Sequence, residues 1–297
     1  MILLTGASGF IGKHLLNELV RVFGKELVLA FTSAPLDDAQ YLLHNDYNFE
    51  ADYFVKSGYG TQIQTIIHAG AFTPKSSKDA NDVVNCTSNI TNANKLLQAN
   101  LPNLKKIIYL STLDVYGPAE IISESSQLEP ASLYGESKLY VEKMIAAWSN
   151  VNNKIYQILR VGHVYGPGEE AYQKIIPVTI QKIIQGQPLQ IWGTGKEIRS
   201  FIYIKDVVST IVNALKLTSN GEIINIVSSQ KITIAALVDK LVVLSGNNIV
   251  PEVMPTAVPG RDFIFDNSKM KDLLTSNETT LDEGLLKEWT YMNNLQA

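Results

Sequence analysis

Tyr134 and Lys138 stand four residues apart, a spacing that places a phenol and an ammonium on one face of a helix. The cation there stabilises a phenolate, so the pair can pass a proton to or from a carbonyl or alcohol oxygen. Spacing alone is weak evidence. The 13 tyrosines and 21 lysines in 297 residues give about one such pair by chance. Tyr134 is nevertheless the only tyrosine with a lysine at plus four, and two further segments precede it in a fixed order. Thr5-Gly6-Ala7-Ser8-Gly9-Phe10-Ile11-Gly12 opens the chain, and Ser111-Thr112-Leu113-Asp114-Val115-Tyr116-Gly117 follows. In the first, Gly6, Gly9 and Gly12 permit a tight turn, close approach of backbone to a pyrophosphate, and close helix packing. A helix beginning near Phe10 aims its unpaired N–H groups and positive dipole end at the phosphates. The chemistry implied is dinucleotide-dependent oxidoreduction, with a tyrosine handling the proton.

These residues need a scaffold that brings them together, and the apolar pattern supplies one. Short aliphatic or β-branched runs at 2–4, 27–31, 63–67, 107–110 and 156–159 read as buried parallel strands. Between them, 13–23, 80–99 and 134–149 carry apolar residues at three-to-four spacing and read as helices, with Gly24 at a helix C-terminus. This alternation predicts a doubly wound parallel sheet whose ligand crevice lies at the strand C-terminal ends. Gly6, His68, Ser111, Thr112 and His163 all fall at or just after such ends. Beyond Gly166-Pro167-Gly168 the pattern is less regular. Helices are expected at 175–185, 207–215 and 232–245, and strands at 189–192, 201–204 and 222–227.

Composition narrows the function classes. The chain is 45% hydrophobic and 18% charged, which suits an ordinary soluble globular protein, and a net charge of −4 gives no basic footprint for nucleic acid. Cys86 is the single cysteine, so no internal disulfide forms, and it reads as a small helix residue rather than a nucleophile. No apolar run approaches the roughly 20 residues that span a bilayer, and Met1 leads straight into the glycine turn. A cytoplasmic protein without membrane association or a metal site is the expectation. Only Arg21, Arg160, Arg199 and Arg261 are arginines, so each invites a question about its role.

The ordered motifs resemble the extended short-chain dehydrogenase/reductase family, in particular its nucleotide-sugar branch, from residue 3 to about residue 286. The resemblance implies a Rossmann-type sheet at 1–165, with 205–227 returning to it. It further implies a smaller C-terminal α/β substrate-capping domain at 166–204 and 228–297. It makes Thr112, Tyr134 and Lys138 the catalytic residues, with Thr112 bonding the reacting oxygen and Lys138 also holding the nicotinamide ribose. Ile67-His68-Ala69-Gly70-Ala71 resembles the family's His-x-Ala-Ala segment. Ala69, Gly70 and Ala71 therefore join Gly6, Ser8, Gly9, Phe10, Ile11, Gly12, Tyr134 and Lys138 as cofactor residues, and His68 reads as a packed structural histidine. Asn89 matches an asparagine that marks the following helix, with Asn85 one turn earlier. The second strand ends Ala30-Phe31-Thr32-Ser33-Ala34, with no acid until Asp37. An NAD site wants a carboxylate there for the ribose, whereas hydroxyls and cations favour a 2′-phosphate. Thr32, Ser33 and Lys13 can supply these, so NADP(H) is expected, with NAD(H) as the alternative.

For the substrate, the resemblance implies a nucleotide sugar. Sugar-nucleotide 4,6-dehydratases of the family carry an Asp-Glu pair directly after the threonine. Leu113 and Asp114 stand there instead, which disfavours dehydration and leaves Asp114 to bind a sugar hydroxyl or face solvent. Arg160-Val161-Gly162-His163-Val164-Tyr165-Gly166-Pro167 places His163 where an asparagine touches the pyrophosphate, while Arg160 braces the fold. Arg199 in Arg199-Ser200-Phe201-Ile202-Tyr203 corresponds to a diphosphate clamp, and its planar fork suits phosphate oxygens. Arg261, in Pro259-Gly260-Arg261-Asp262, is expected as a second clamp. Trp192-Gly193-Thr194-Gly195 resembles a loop that lines the nucleotide pocket. The expected activity is NADP(H)-dependent reduction of a 4-keto (deoxy)sugar nucleotide to the alcohol. An NAD-retaining 4-epimerase is the alternative, and a non-catalytic dinucleotide sensor is the reading from another class. The resemblance also implies a homodimer formed by the helix carrying Tyr134 and its neighbour.

Overall fold

The computed structural model describes residues 1–256, 260–275 and 277–295, so Pro259 of the Arg261 segment lies outside the described residues. The chain opens with β1 (Ile2–Thr5), α1 (Phe10–Phe23), β2 (Val28–Thr32), β3 (Gln40–Leu43) and a single helical turn, α2 (Tyr53–Lys56). Next come β4 (Thr65–His68), α3 (Val83–Leu97), β5 (Lys106–Thr112), α4 (Leu133–Val151) and β6 (Ile155–Val161). After these run β7 (His163–Tyr165), α5 (Ile175–Ile184), β8 (Gln190–Trp192), β9 (Ile198–Tyr203), α6 (Ile204–Ala214) and β10 (Glu222–Ile226). β11 (Lys231–Thr233), α7 (Ile234–Ser245), β12 (Glu252–Met254), α8 (Ser268–Leu273) and α9 (Leu281–Asn294) complete it.

Seven strands form one sheet in the order β10-β6-β5-β4-β1-β2-β3, and every neighbouring pair is parallel. Such strands are covered on both faces, which is why β2 and β5 are buried along their whole length. On one face Leu15 and Leu19 of α1 and Val207 and Ile211 of α6 meet Leu4, Ile108 and Leu159. On the other, Ala93 and Leu97 of α3 and Val141 and Ile145 of α4 meet Leu3, Ile66 and Ile107. The doubly wound parallel sheet is therefore present as the apolar alternation predicts. Its order reverses around β1, which opens a crevice outside the C-terminal ends of β1 and β4. A small sheet in the order β11-β9-β7 and a β12-β8 pair lie beyond. No described helix is long and apolar enough to cross a membrane.

The departures from expectation have local causes. β3 is a half-exposed edge strand of Gln-Tyr-Leu-Leu with neither a β-branched run nor a continuous apolar one. Ile204, expected in a strand, begins α6 instead, and β9 starts earlier at Ile198. Residue 232 lies in β11, because Thr233 caps the next helix by accepting a hydrogen bond from the Ala236 N–H at 3.2 Å. The helix α9 was not expected because Gly284 and Glu288 interrupt its buried stripe of Leu281, Leu285 and Met292.

Glu288 is fully buried, and neither carboxylate oxygen has a hydrogen-bond partner among the described residues. Glu169, in the loop after β7, is equally buried, with the Lys174 ammonium 3.5 Å away. Burial pushes the Glu169 carboxyl up to about 7. It pushes Glu288 up to about 8, with repulsion from Glu169 and Glu170 adding to the rise. An acid whose pKa is raised by folding binds its proton more tightly in the folded chain, so stability falls as pH rises from the ordinary 4.5 to about 8. Replacement of Glu288 by the similarly sized Met removes that penalty. Glu288→Met is expected to unfold about 1–3 kcal/mol later at pH 7.5 and with a flatter pH dependence, read by urea denaturation from pH 5 to 9. An unchanged pH slope would mean that Glu288 finds a partner in solution.

Candidate active site

The glycine turn after β1 is shaped by contact rather than by flexibility. Gly6 sits at φ +72°, and a Cβ there would lie 2.5 Å from the Gly70 Cα; a Cβ on Gly12 would lie 1.9 Å from the Gly6 carbonyl oxygen. Only bare backbone lets β1, α1 and the Ala69-Gly70-Ala71 segment meet. Thr5 Oγ1 locks that junction by accepting the Gly70 N–H at 3.0 Å and pairing with His68 Nδ1 at 2.8 Å. His68 is buried, stacks on Tyr109 and is pushed down to about 3, chiefly by burial. It is a neutral packed histidine, as its sequence context implies. The helix α1 begins with no side-chain cap and no acid in its first turn, which leaves its first N–H groups available to an anion. That cradle fits a dinucleotide pyrophosphate.

A cavity of about 720 Å³ runs along the strand ends. Ser33, His44, Asp46 and Tyr47 line the end beside β2 and β3; Ser8, Gly9, Phe10, Ile11 and Gly12 line its middle with Ala69, Gly70 and Ala71. Thr73, Thr112, Asp114, Tyr134, Lys138, His163, Tyr172 and Lys174 line the end beside β5 and β6. The three proposed catalytic residues thus share one cavity with the glycine turn.

Ser132 caps α4 by accepting the Gly135 N–H at 3.2 Å, and this start sets Tyr134 and Lys138 one turn apart on the cavity side. The Lys138 ammonium donates to the Leu110 carbonyl at 2.6 Å and lies 4.3 Å from the centre of the Tyr109 ring. Burial pushes it down to about 7, partly countered by Glu142. Tyr134, expected to be drawn down by Lys138, instead lies above the ordinary phenol value of 10.0. Burial is the main cause and the Asp114 carboxylate the next; hydrogen bonding with Thr73 and Thr112 pulls it part of the way back. Lys138 has spent its charge on Leu110 and Tyr109, so the phenol stays protonated until a further positive charge arrives. Thr73 was not foreseen. Its position is set by Asn89 of α3, which accepts the Phe72 N–H at 2.7 Å and donates to the Phe72 carbonyl at 3.3 Å and to Ser137 at 3.1 Å. The Asn89 motif was the available signal, pointing to a bracket for 72–73 rather than to a ligand.

Ser111, one position before Thr112, also lines the cavity, but its hydroxyl donates to Glu142 of α4. Glu142 receives Arg160 of β6 in a two-pronged pair at 2.7 and 3.1 Å, and Arg160 also donates to the Tyr116 hydroxyl, which donates to Asn225 of β10. Both charged side chains are buried. Arg160 braces the fold, as expected.

Four of the expected binding residues have local partners that the sequence did not indicate. The Thr32 hydroxyl is buried and spent on the Ala34 backbone, and Lys13 does not line the cavity, so the 2′-phosphate site expected with Ser33 is not assembled. Asp46 and Tyr47, both at positive φ, occupy that end instead, with no sequence sign except their place after β3. His163 lines the cavity, but its Nδ1–H donates to the Ser200 carbonyl at 3.3 Å and burial pushes it down to about 4. The neutral ring offers its other nitrogen as an acceptor, which suits a hydroxyl rather than a phosphate. Arg261 turns its Nη2 to the Gly117 carbonyl at 2.7 Å and lines none of the described cavities. Arg199 donates to the Ile198 and Arg261 carbonyls, and both guanidinium groups lie against Phe263 at 4.9 and 4.8 Å. Arg199 lines two smaller cavities of about 280 and 410 Å³ next to the main one, the larger also lined by Trp192 and Gly260.

Residues 2–227 match the NAD dependent epimerase/dehydratase family. The chain belongs to that family. It is an extended short-chain dehydrogenase/reductase of the nucleotide-sugar branch. It is 27% identical, over 97% of its length, to an Arabidopsis thaliana trifunctional UDP-glucose 4,6-dehydratase/UDP-4-keto-6-deoxy-D-glucose 3,5-epimerase/UDP-4-keto-L-rhamnose-reductase, and spans 47% of that relative. It is 30% identical to the Escherichia coli dTDP-4-dehydro-6-deoxyglucose reductase, over 81% of this chain and 80% of that one. Among solved structures it resembles UDP-glucuronic acid 4-epimerase from Bacillus cereus in complex with NAD, with a TM-score of 0.84 at 26% identity over 100% and 99% of the two chains. The cofactor class is therefore a nicotinamide dinucleotide.

The Glu142–Arg160 pair generates a prediction of its own. Glu142→Ala leaves a buried guanidinium unpaired and is expected to cost about 3–5 kcal/mol in urea unfolding. A loss below about 1 kcal/mol would show that water reaches Arg160.

Proposed function

We propose that this chain is an NAD(H)-dependent nucleotide-sugar 4-epimerase. The observation that carries the reading is the adenosine end of the cavity. Asp46 lies there with Ser33, and no lysine or arginine lines that end among the described residues. His44 adds no cation, since burial lowers it below its ordinary 6.5. A ribose with free hydroxyls suits this lining, whereas a 2′-phosphate would meet the Asp46 carboxylate. With NAD(H) favoured over the NADP(H) expected from the strand end, a bound cofactor that recycles becomes the better reading. Leu113 in place of an acid still argues against dehydration.

Each residue has a part in that reading. The nicotinamide, when bound, exchanges hydride with the sugar carbon. Tyr134 takes the proton from the reacting hydroxyl and returns it, and Thr112 holds the same oxygen. Lys138 holds the ribose beside them. Asp114 and His163 accept sugar hydroxyls. The nucleotide occupies the two smaller cavities, where Arg199, which lines both, supplies a cation for its diphosphate. We assign 1–165 and 205–227 to the dinucleotide, and 166–204 and 228–297 to the substrate. A second reading, reduction of a 4-keto sugar nucleotide, is favoured by the 30% identical reductase and by a Tyr134 already protonated to quench an alkoxide.

The test begins with protein as purified, incubated with UDP-glucose and with dTDP-glucose without added reductant. Inversion at C4 with NAD released on denaturation supports the epimerase. Turnover only of a 4-keto-6-deoxy sugar nucleotide with added NADH or NADPH overturns it in favour of the reductase. Tyr134→Phe is expected to lose about 10²–10⁴-fold in kcat while still binding NADH. Dinucleotide binding by the wild type with no sugar turnover at all would favour a sensor.

The homodimer we propose joins the outer faces of α3 and α4. Val83, Val84, Leu133 and Tyr140 are 66, 79, 42 and 56% exposed there, which is unusual for such residues on two neighbouring helices. Tyr140→Glu is expected to give a monomer by light scattering. A wild type that is already monomeric would end that part of the proposal.

A further inference from the structure

We propose that Asp114 makes the sugar end of the cavity reject a carboxylate and take an uncharged, hydroxyl-bearing ring next to the reacting carbon. The inference rests on the nucleotide-sugar reading above. It also separates this chain from the UDP-glucuronic acid 4-epimerase that it resembles in fold.

Placement comes first. Asp114 lies on the cavity wall two residues beyond Thr112, and its exposed side chain shares that space with Tyr134. Its charge is the strongest influence on the Tyr134 phenol after burial itself. A sugar whose reacting carbon lies at Tyr134 and Thr112 would bring its neighbouring substituents to the same wall as Asp114.

Asp114 is also held in place. Its N–H donates to Thr112 Oγ1 at 3.2 Å; burial raises its carboxyl above the ordinary 3.8, and hydrogen bonding with the Thr112 side chain pulls it part of the way back toward the charged form. From behind, α4 presses on its backbone so closely that a Cβ on Gly135 would lie 2.4 Å from the Asp114 carbonyl oxygen. The turn cannot back away to let an anion in.

Charge balance decides the rest. Lys138 and Lys174 are the only lysines or arginines lining the cavity among the described residues. Lys138 is spent on the Leu110 carbonyl, and Lys174 donates to the Val164 carbonyl at 3.0 Å with Glu169 at 3.5 Å. A uronic acid would set a second anion beside Asp114 with no uncommitted cation to answer it. A neutral ring offers hydroxyls instead, and the carboxylate accepts these in charge-assisted hydrogen bonds.

The experiment is calorimetric titration of the NAD-loaded protein with UDP- and dTDP-linked glucose and glucuronate, using UDP and dTDP alone as baselines. The wild type is expected to bind the glucose ester more tightly than the glucuronate ester by roughly tenfold or more. Asp114→Asn should close most of that gap by improving glucuronate binding, while Asp114→Glu, which keeps the charge, should preserve it. Equal affinity in the wild type, or a gap that survives in Asp114→Asn, overturns the proposal. If neither sugar ester nor either nucleotide binds, the nucleotide-sugar reading itself falls and takes this one with it.

Discussion

The Arg160 guanidinium sits between the sheet and α4, and its pairing with Glu142 is what holds the helix carrying Tyr134 and Lys138 at a fixed height over the strand ends. Arg160 belongs to β6, Ser111 to β5, Asn225 to β10 and Tyr116 to the turn after Thr112, and all four converge on or beside Glu142 of α4. A buried ion pair contributes little net stability, because desolvation offsets most of its attraction. Its value here is geometric. Glu142 lies one helical turn beyond Lys138 and two beyond Tyr134, so any slip of the pair would move the phenol relative to Thr112. The same network engages the Ser111 hydroxyl, whereas the Thr112 hydroxyl bonds beside Tyr134.

Around that anchor the cavity is organised by charge. The glycine turn and the uncapped start of α1 offer partial positive charge for a pyrophosphate in its middle. Asp46 stands at one end and Asp114 at the other. Lys138 and Lys174, at the Asp114 end, are tied to backbone carbonyls. Such a site welcomes an anion at the centre and hydroxyl groups at both extremes, which is the charge pattern of a dinucleotide lying against a sugar.

The parts legible in the sequence are those governed by local rules. The glycine turn, the buried parallel strands and the placing of Tyr134 and Lys138 on one helix face follow from spacing and apolar runs, and all three recur in the structure. Spacing fails where function depends on the direction of a side chain. Thr32 and Arg261 occupy suggestive positions along the chain, yet the Thr32 hydroxyl turns to the Ala34 backbone and Arg261 Nη2 to the Gly117 carbonyl. Thr73 and Asp46 sit in loops whose paths are set by distant contacts, the bracket from Asn89 and the packing after β3, so no periodicity marks them. Helix α9 escaped for the opposite reason, since its buried Glu288 contradicts the apolar stripe by which amphipathic helices are recognised.

The protonation state of the site is the least local property of all. A phenol and an ammonium at helical spacing suggest mutual stabilisation, but that holds only where the two charges act mainly on each other. Here burial disfavours the charged form of both, raising Tyr134 and lowering Lys138 toward neutrality. Asp114 adds to the rise on the tyrosine side, and Glu142 resists the fall on the lysine side. The two groups are thus balanced by different carboxylates, one facing substrate and one facing the core. An added positive charge near Tyr134 would lower it directly, whereas Glu142 is already committed to Arg160 and shields Lys138 from such changes. The site is therefore asymmetric in a useful way. The tyrosine responds to what occupies the cavity, while the lysine is tied to the fold through the Leu110 carbonyl.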